Sequence, residues 1–130
     1  MDRACIALVD ATRARYFTFS RVHDHAGSHE ELVERPDLVN GAPRPFSQPD
    51  PGFARAVLAG LREVLDAHPA RSVMVCTSAG MVHAIRSAAS GLLPDDVVLD
   101  VVPAELVNMT PADVLTRLAS SGALAPHPSR

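Results

Sequence analysis

The sequence predicts one α/β domain, a mixed β-sheet with elements in the order βββαβαβα. Three observations carry that expectation. Two continuously apolar runs, Cys5-Ile6-Ala7-Leu8-Val9 and Val73-Met74-Val75-Cys76, have the composition of strands buried on both faces. The strand-like segments before residue 36 are separated only by short polar turns, which implies antiparallel pairing. Beyond Pro51 the apolar residues change to helical spacing. With 130 residues the chain has room for a single core, here assigned to 1–124, with 125–130 as a frayed tail.

The first strand is Cys5 to Val9, bounded by Asp10. Arg13 to Val22 follows as a second strand, rich in the β-formers Tyr16, Phe17, Thr18 and Phe19. His23 to Ser28 reads as a polar turn, and Glu31-Leu32-Val33-Glu34 as a third strand that Pro36 ends. Residues 36–51 form a polar loop stiffened by five prolines. Asp50-Pro51 then supplies an N-cap with proline at the first helical position, and Phe53, Val57, Leu61, Val64 and Leu65 repeat at helical spacing until His68-Pro69. Ser72 to Cys76 is the fourth strand. Ser78 caps a helix closed by Gly91, Val97 to Val101 is the last strand, and Thr110-Pro111-Ala112-Asp113 resembles a capping box for a helix ending near Gly122.

Composition excludes several classes. No apolar run approaches the ~20 residues of a membrane span. The start, Met1-Asp2-Arg3-Ala4, lacks a basic region ahead of an apolar core, so the cytoplasm is the expected location. Cys5 and Cys76 both lie in apolar strands and read as buried free thiols rather than a disulfide. The net charge is −3 and all twelve basic residues are arginine, so the domain as a whole is no electrostatic trap for phosphate. Any nucleic-acid contact has to be local, and no cofactor is expected.

Several residues are candidates for chemistry. Asp10, at a strand end, could be one ligand of a two-metal centre, but the fourth strand ends in Cys76-Thr77-Ser78 without a second carboxylate. Its simpler role is to cap the Ala11-Thr12 turn or to pair with Arg13. Cys76 and Ser78 precede a helix start, where a thiolate or an anion is stabilised, yet neither Cys-x5-Arg nor Gly-x-Ser-x-Gly is complete. A buried thiol beside a capping serine is the reading preferred for them. His23, His25 and His29 are spaced like metal ligands, although a solvated hairpin tip accounts for them as well. Arg13, Arg15, Phe17, Phe19 and Arg21 share one strand face, a pattern suited to stacking RNA bases unless a helix, expected to be the first, covers the rings. In the proline-rich loop Arg44, Phe46, Ser47 and Gln48 bring a charge, a ring and polar side chains within short reach.

Val9-Asp10-Ala11-Thr12-Arg13-Ala14-Arg15, Arg44-Pro45-Phe46-Ser47, the strand at Val73 to Cys76, and Asn108-Met109-Thr110-Pro111-Ala112-Asp113-Val114-Leu115 together resemble the bacterial host-attachment protein family. That family is similar to the middle domain of archaeal and eukaryotic peptide-chain release factors, and the element order is that of ribonuclease-H-like folds. The resemblance implies that Asn40 to Pro51 matches the release-factor loop that carries Gly-Gly-Gln into the peptidyl-transferase centre. Here the segment has Gly41 and Gln48, seven residues apart, and no Gly-Gly-Gln. Asn108 stands where the family often has histidine. The expected function is therefore a noncatalytic, translation-associated module that binds RNA or the ribosome. The alternatives are a protein-interaction factor that works as a homodimer or with a protein partner, and a small hydrolase built on Cys76, Ser78 and Asp10.

Overall fold

In a computed structural model that describes residues 3–41 and 50–120, the unbroken apolar run puts β1 (Arg3–Val9) at the centre of the sheet, with Ala4 to Val9 all buried. β2 (Arg13–Asp24) returns antiparallel beside it, pairing Ile6 with Phe17. β3 (Gly27–Val39) comes back antiparallel to β2 as an edge strand. On the other side β4 (Ser72–Thr77) lies parallel to β1, and β5 (Val98–Pro103) lies parallel to β4. The sheet order is β3-β2-β1-β4-β5, with β2 alone reversed. This is the ribonuclease-H-like arrangement that the element order predicts. Cys5, Val75 and Cys76 are fully buried, as central strands require.

The helices divide between the faces. α1 (Pro51–Ala67) and α2 (Ala79–Ala89) pack together on the face that carries Cys5, Ala7, Tyr16 and Val75. α3 (Pro111–Ser120) and the segment before it cover the other face, over Ile6, Leu8, Phe17 and Phe19. The two phenylalanines are therefore covered as expected, but from the α3 side and not by the first helix. Strand pleat decides this, because Phe17 and Tyr16 must point to opposite faces. α1 starts as its sequence signals it should: Asp50 Oδ1 accepts from Phe53 N at 3.0 Å, with Pro51 in the first helical turn. Thr110 Oγ1 caps α3 by accepting from Asp113 N. Residues beyond 120, including the expected helix end near Gly122 and the tail 125–130, lie outside the described residues.

Boundaries are corrected at three places. The turn expected over His23 to Ser28 holds only His25 and Ala26, because β2 reaches Asp24 and β3 starts at Gly27. β5 runs on to Pro103 rather than ending at Val101. β3 does not stop at Pro36 but continues to Val39. Register explains the tolerance. Tyr16 faces Arg35 and Ala14 faces Leu38, so Pro36 and Asp37 together oppose Arg15 in a bulge. On an edge strand, at a bulge, proline removes no ladder hydrogen bond that the sheet needs.

Candidate functional site at the carboxyl edge

Because β1, β3, β4 and β5 run the same way, their carboxyl ends meet along one edge of the sheet, and the helices that follow them begin there. Asp10 is its first polar residue. Its Oδ1 accepts from Thr12 N at 2.7 Å, Thr12 Oγ1 at 2.8 Å and Arg13 N at 2.8 Å, closing the turn between β1 and β2. Partial burial pushes its carboxyl up, but the Thr12 and Arg13 hydrogen bonds and the Arg13 charge outweigh that and hold it below the usual range. Asp10 is thus the turn cap that the sequence favoured.

Asn40, directly after β3, ties the edge together. Its backbone N donates to Thr12 O at 2.8 Å, and its Nδ2 donates to Ala11 O at 2.8 Å and to Asp50 Oδ2 at 3.2 Å. The chain therefore leaves the edge at residue 40 and rejoins it at residue 50 with the two ends bonded to each other. Arg44, Phe46, Ser47 and Gln48 lie outside the described residues.

Beside this junction is a cleft of about 980 Å³ between the start of α1 and the length of α2. Asp10, Asp50 and Glu105 stand at it, opposed by Arg55 and His83. Ser78, also in its lining, occupies the N-cap of α2 in extended conformation, but its side chain makes no capping bond. The preceding Thr77 is fully buried, and its Oγ1 finds no partner among the described residues.

Cys76 does not share this cleft. It points to the α3 face, fully buried, and burial pushes its thiol up to about 11. At neutral pH such a group is a protonated core side chain rather than a nucleophile.

The remaining candidates are engaged elsewhere. Arg15 forks onto Glu34, with Nε to Oε2 and Nη2 to Oε1 both at 2.9 Å, while its Nη1 donates to Val107 O at 2.8 Å and to Met109 O. Arg13 Nη2 donates to Val107 O and to Asn108 Oδ1, each at 3.2 Å. The two guanidiniums thus bind the irregular segment before α3 to β2. Phe17 and Phe19 are buried, with Arg15 and Arg21 lying over their rings, so β2 offers no open stacking surface. Glu34 and the carbonyls of Val107 and Met109 were not singled out from sequence. A carbonyl carries no sequence signal, and Glu34 meets Arg15 only through strand pairing.

Register also separates the histidines. His23 faces Ser28 and His29 faces Val22, so their side chains project from opposite faces of the hairpin, while His25 sits in the turn itself. His29 instead lies 3.3 Å from Glu31 Oε1 and 3.8 Å from Asp24 Oδ2. Among the described residues no group of three or more metal-binding side chains converges. Nor is any described helix long and apolar enough to cross a membrane.

No protein-family model matches the chain, and no curated protein does. Among solved structures it is similar to the Aquifex aeolicus PPX-GPPA enzyme, at 10% identity and a TM-score of 0.43, over 78% of this chain and 36% of that one. It is also similar to Thermus thermophilus RuvC, at 15% identity and a TM-score of 0.45, over 97% of this chain and 83% of that one. This chain spans little more than a third of the PPX-GPPA enzyme's length.

Proposed function

We propose that the chain is a noncatalytic, translation-associated binding module that contacts RNA or the ribosome, with the excursion between Asn40 and Asp50, and not the acidic cleft beside it, as the contacting element. The observation that carries this reading is the bonded base of that excursion, Asn40 Nδ2 to Asp50 Oδ2, which fixes both of its ends at one point of a rigid edge. Loops closed at the base and set on a rigid scaffold are frequent contact elements. The sequence places Arg44, Phe46 and Gln48 inside the excursion, side chains suited to phosphate and base contacts. The absence of Gly-Gly-Gln from the sequence, the saturated Oδ1 of Asp10 and the buried thiol of Cys76 support the noncatalytic character.

The test is cosedimentation with ribosomes at physiological salt. The Arg44→Ala, Phe46→Ala double variant is expected to lose binding at unchanged thermal stability. Unchanged binding with lowered stability would sink the proposal. A host-attachment-type protein-interaction factor is the second reading, favoured by the acidic rim of the cleft, which repels phosphate and suits a basic partner.

A further inference from the structure

The cleft between α1 and α2 is uneven in both charge and shape. Three carboxylates, Asp10, Asp50 and Glu105, face one guanidinium, Arg55, and the imidazole of His83, whose Nε2 lies 3.4 Å from Ser87 Oγ. Asp50 is already engaged through both oxygens, by Phe53 N and Asn40 Nδ2. Asp10 differs: its three donors all reach Oδ1, and none of these bonds involves Oδ2. Because the turn holds the carboxyl in place, Oδ2 is a preset acceptor. Glu105 is exposed and has no partner among the described residues.

The wall has a different character. Gly80, Ala84 and Ala88 follow one another along α2 at helical spacing and all line the cleft, with Met81 and Leu92 beside them. Side chains this small let a flat apolar body approach the helix closely. At about 1.5 Å per residue the three positions give that body a track of about 12 Å. The cleft volume, about 980 Å³, falls within the range of small-molecule sites.

We infer that the cleft is a binding site for a small organic cation whose flat apolar body lies against Gly80, Ala84 and Ala88 while its protonated nitrogen group meets Asp10 Oδ2 and Glu105 at the sheet edge. Anions are disfavoured there, since three carboxylates in the lining outnumber the single guanidinium of Arg55. This inference rests on Asp10, Glu105 and the wall of α2, and stands apart from the ribosome proposal, which rests on the bond between Asn40 and Asp50 and the side chains the sequence places between those two residues.

The probe is benzamidine, titrated into the isotope-labelled full-length chain and followed by amide chemical shifts, with benzamide and benzoate as neutral and anionic matches. Saturable shifts centred on residues 10–12 and 78–92 are expected, with benzamidine binding about tenfold more tightly than benzamide, the worth of about one charge contact, and benzoate not binding. The Asp10→Asn, Glu105→Gln double variant retains an oxygen to cap the turn and should bring benzamidine down to the affinity of benzamide. Glu105→Gln alone, at an exposed position, keeps the fold out of question and should weaken benzamidine without affecting benzamide. Benzoate binding as tightly as benzamidine, shifts centred elsewhere, or full affinity in the charge-neutralised variants would each overturn the inference. Ribosome cosedimentation run in parallel keeps the two proposals separable, because Arg44→Ala, Phe46→Ala leaves the benzamidine titration unchanged.

Discussion

The two faces of the sheet are closed by different means. On one, α1 and α2 bury an apolar cluster that includes Val57, Leu58, Leu61 and Ile85, all fully inaccessible. The fit is tight enough for Tyr16 Oη to donate to Val57 O at 2.8 Å, and a Cβ on Gly60 would stand only 2.5 Å from that hydroxyl. On the other face α3 is shorter, and the segment leading into it has carbonyls that no ladder pairs. Arg15 and Arg13 supply their donors. A regular helix satisfies its own backbone and needs only an apolar stripe. An irregular segment has to be given partners, because a buried carbonyl left unpaired costs as much as a lost hydrogen bond.

The largest break in this comparison is expected at the sheet centre. Val75→Asp places a carboxylate with no partner against α1 and should cost about 4 kcal/mol or more, enough to unfold the domain. Loss of the cooperative thermal transition by circular dichroism is the readout, and a native-like melting curve would overturn the topology. Gly60→Ala tests the tight face alone. The new methyl forces Tyr16 aside at about 1–3 kcal/mol. Adding Tyr16→Phe removes the 2.5 Å contact and leaves one of 3.0 Å to Cζ, so the double variant should be less destabilised than the sum of the singles.

Arg15→Met tests the other face. It leaves the carbonyls of Val107 and Met109 short of donors, at about 1–3 kcal/mol. Hydrogen exchange should then accelerate in residues 104–117 more than in α1. The two thiols give an independent reading. Cys5 lies on the α1 face and Cys76 on the α3 face, both buried and both pushed up to about 11, so neither should label with a thiol reagent at neutral pH. In Arg15→Met, Cys76 should label before Cys5; equal rates would mean that Arg15 does not secure α3.

The smallest effect is that of acid. The Arg15 hydrogen bonds hold the Glu34 carboxyl below its ordinary 4.5 against a smaller opposing effect of burial, and the Arg15 and Arg13 charges add to them. Asp10 lies below its ordinary 3.8. For depressed carboxylates the contribution is complete above the unfolded value and is lost as pH falls through the folded one. Stability should therefore decline as pH drops below about 4.5, and the decline should be shallower in Glu34→Gln. The effect is modest because the Glu34 side chain is 38% exposed. An unchanged acid transition in Glu34→Gln would remove the ion pair from the account of this face.

The apolar pattern determined the order βββαβαβα, the burial of Cys5, Val75 and Cys76, and the caps at Asp50 and Thr110, because periodicity and capping are local properties of the chain. Asp10 was legible as a turn cap for the same reason: its partners are two and three residues away. What local sequence misassigned or left open depends on neighbours it does not specify. Pro36 forbids a central strand but not a bulged edge, and only the sheet order makes β3 an edge. Arg13 and Arg15 look alike as nucleic-acid contacts and as donors for a loop, until the chain brings residues 107–109, more than ninety positions away, within hydrogen-bonding distance. The histidines share a short segment but not a face, because strand register alternates their directions. The cleft likewise exists only because the parallel strands deliver Asp10, Asp50, Ser78 and Glu105 to a single edge, a convergence set by topology rather than by any spacing along the chain.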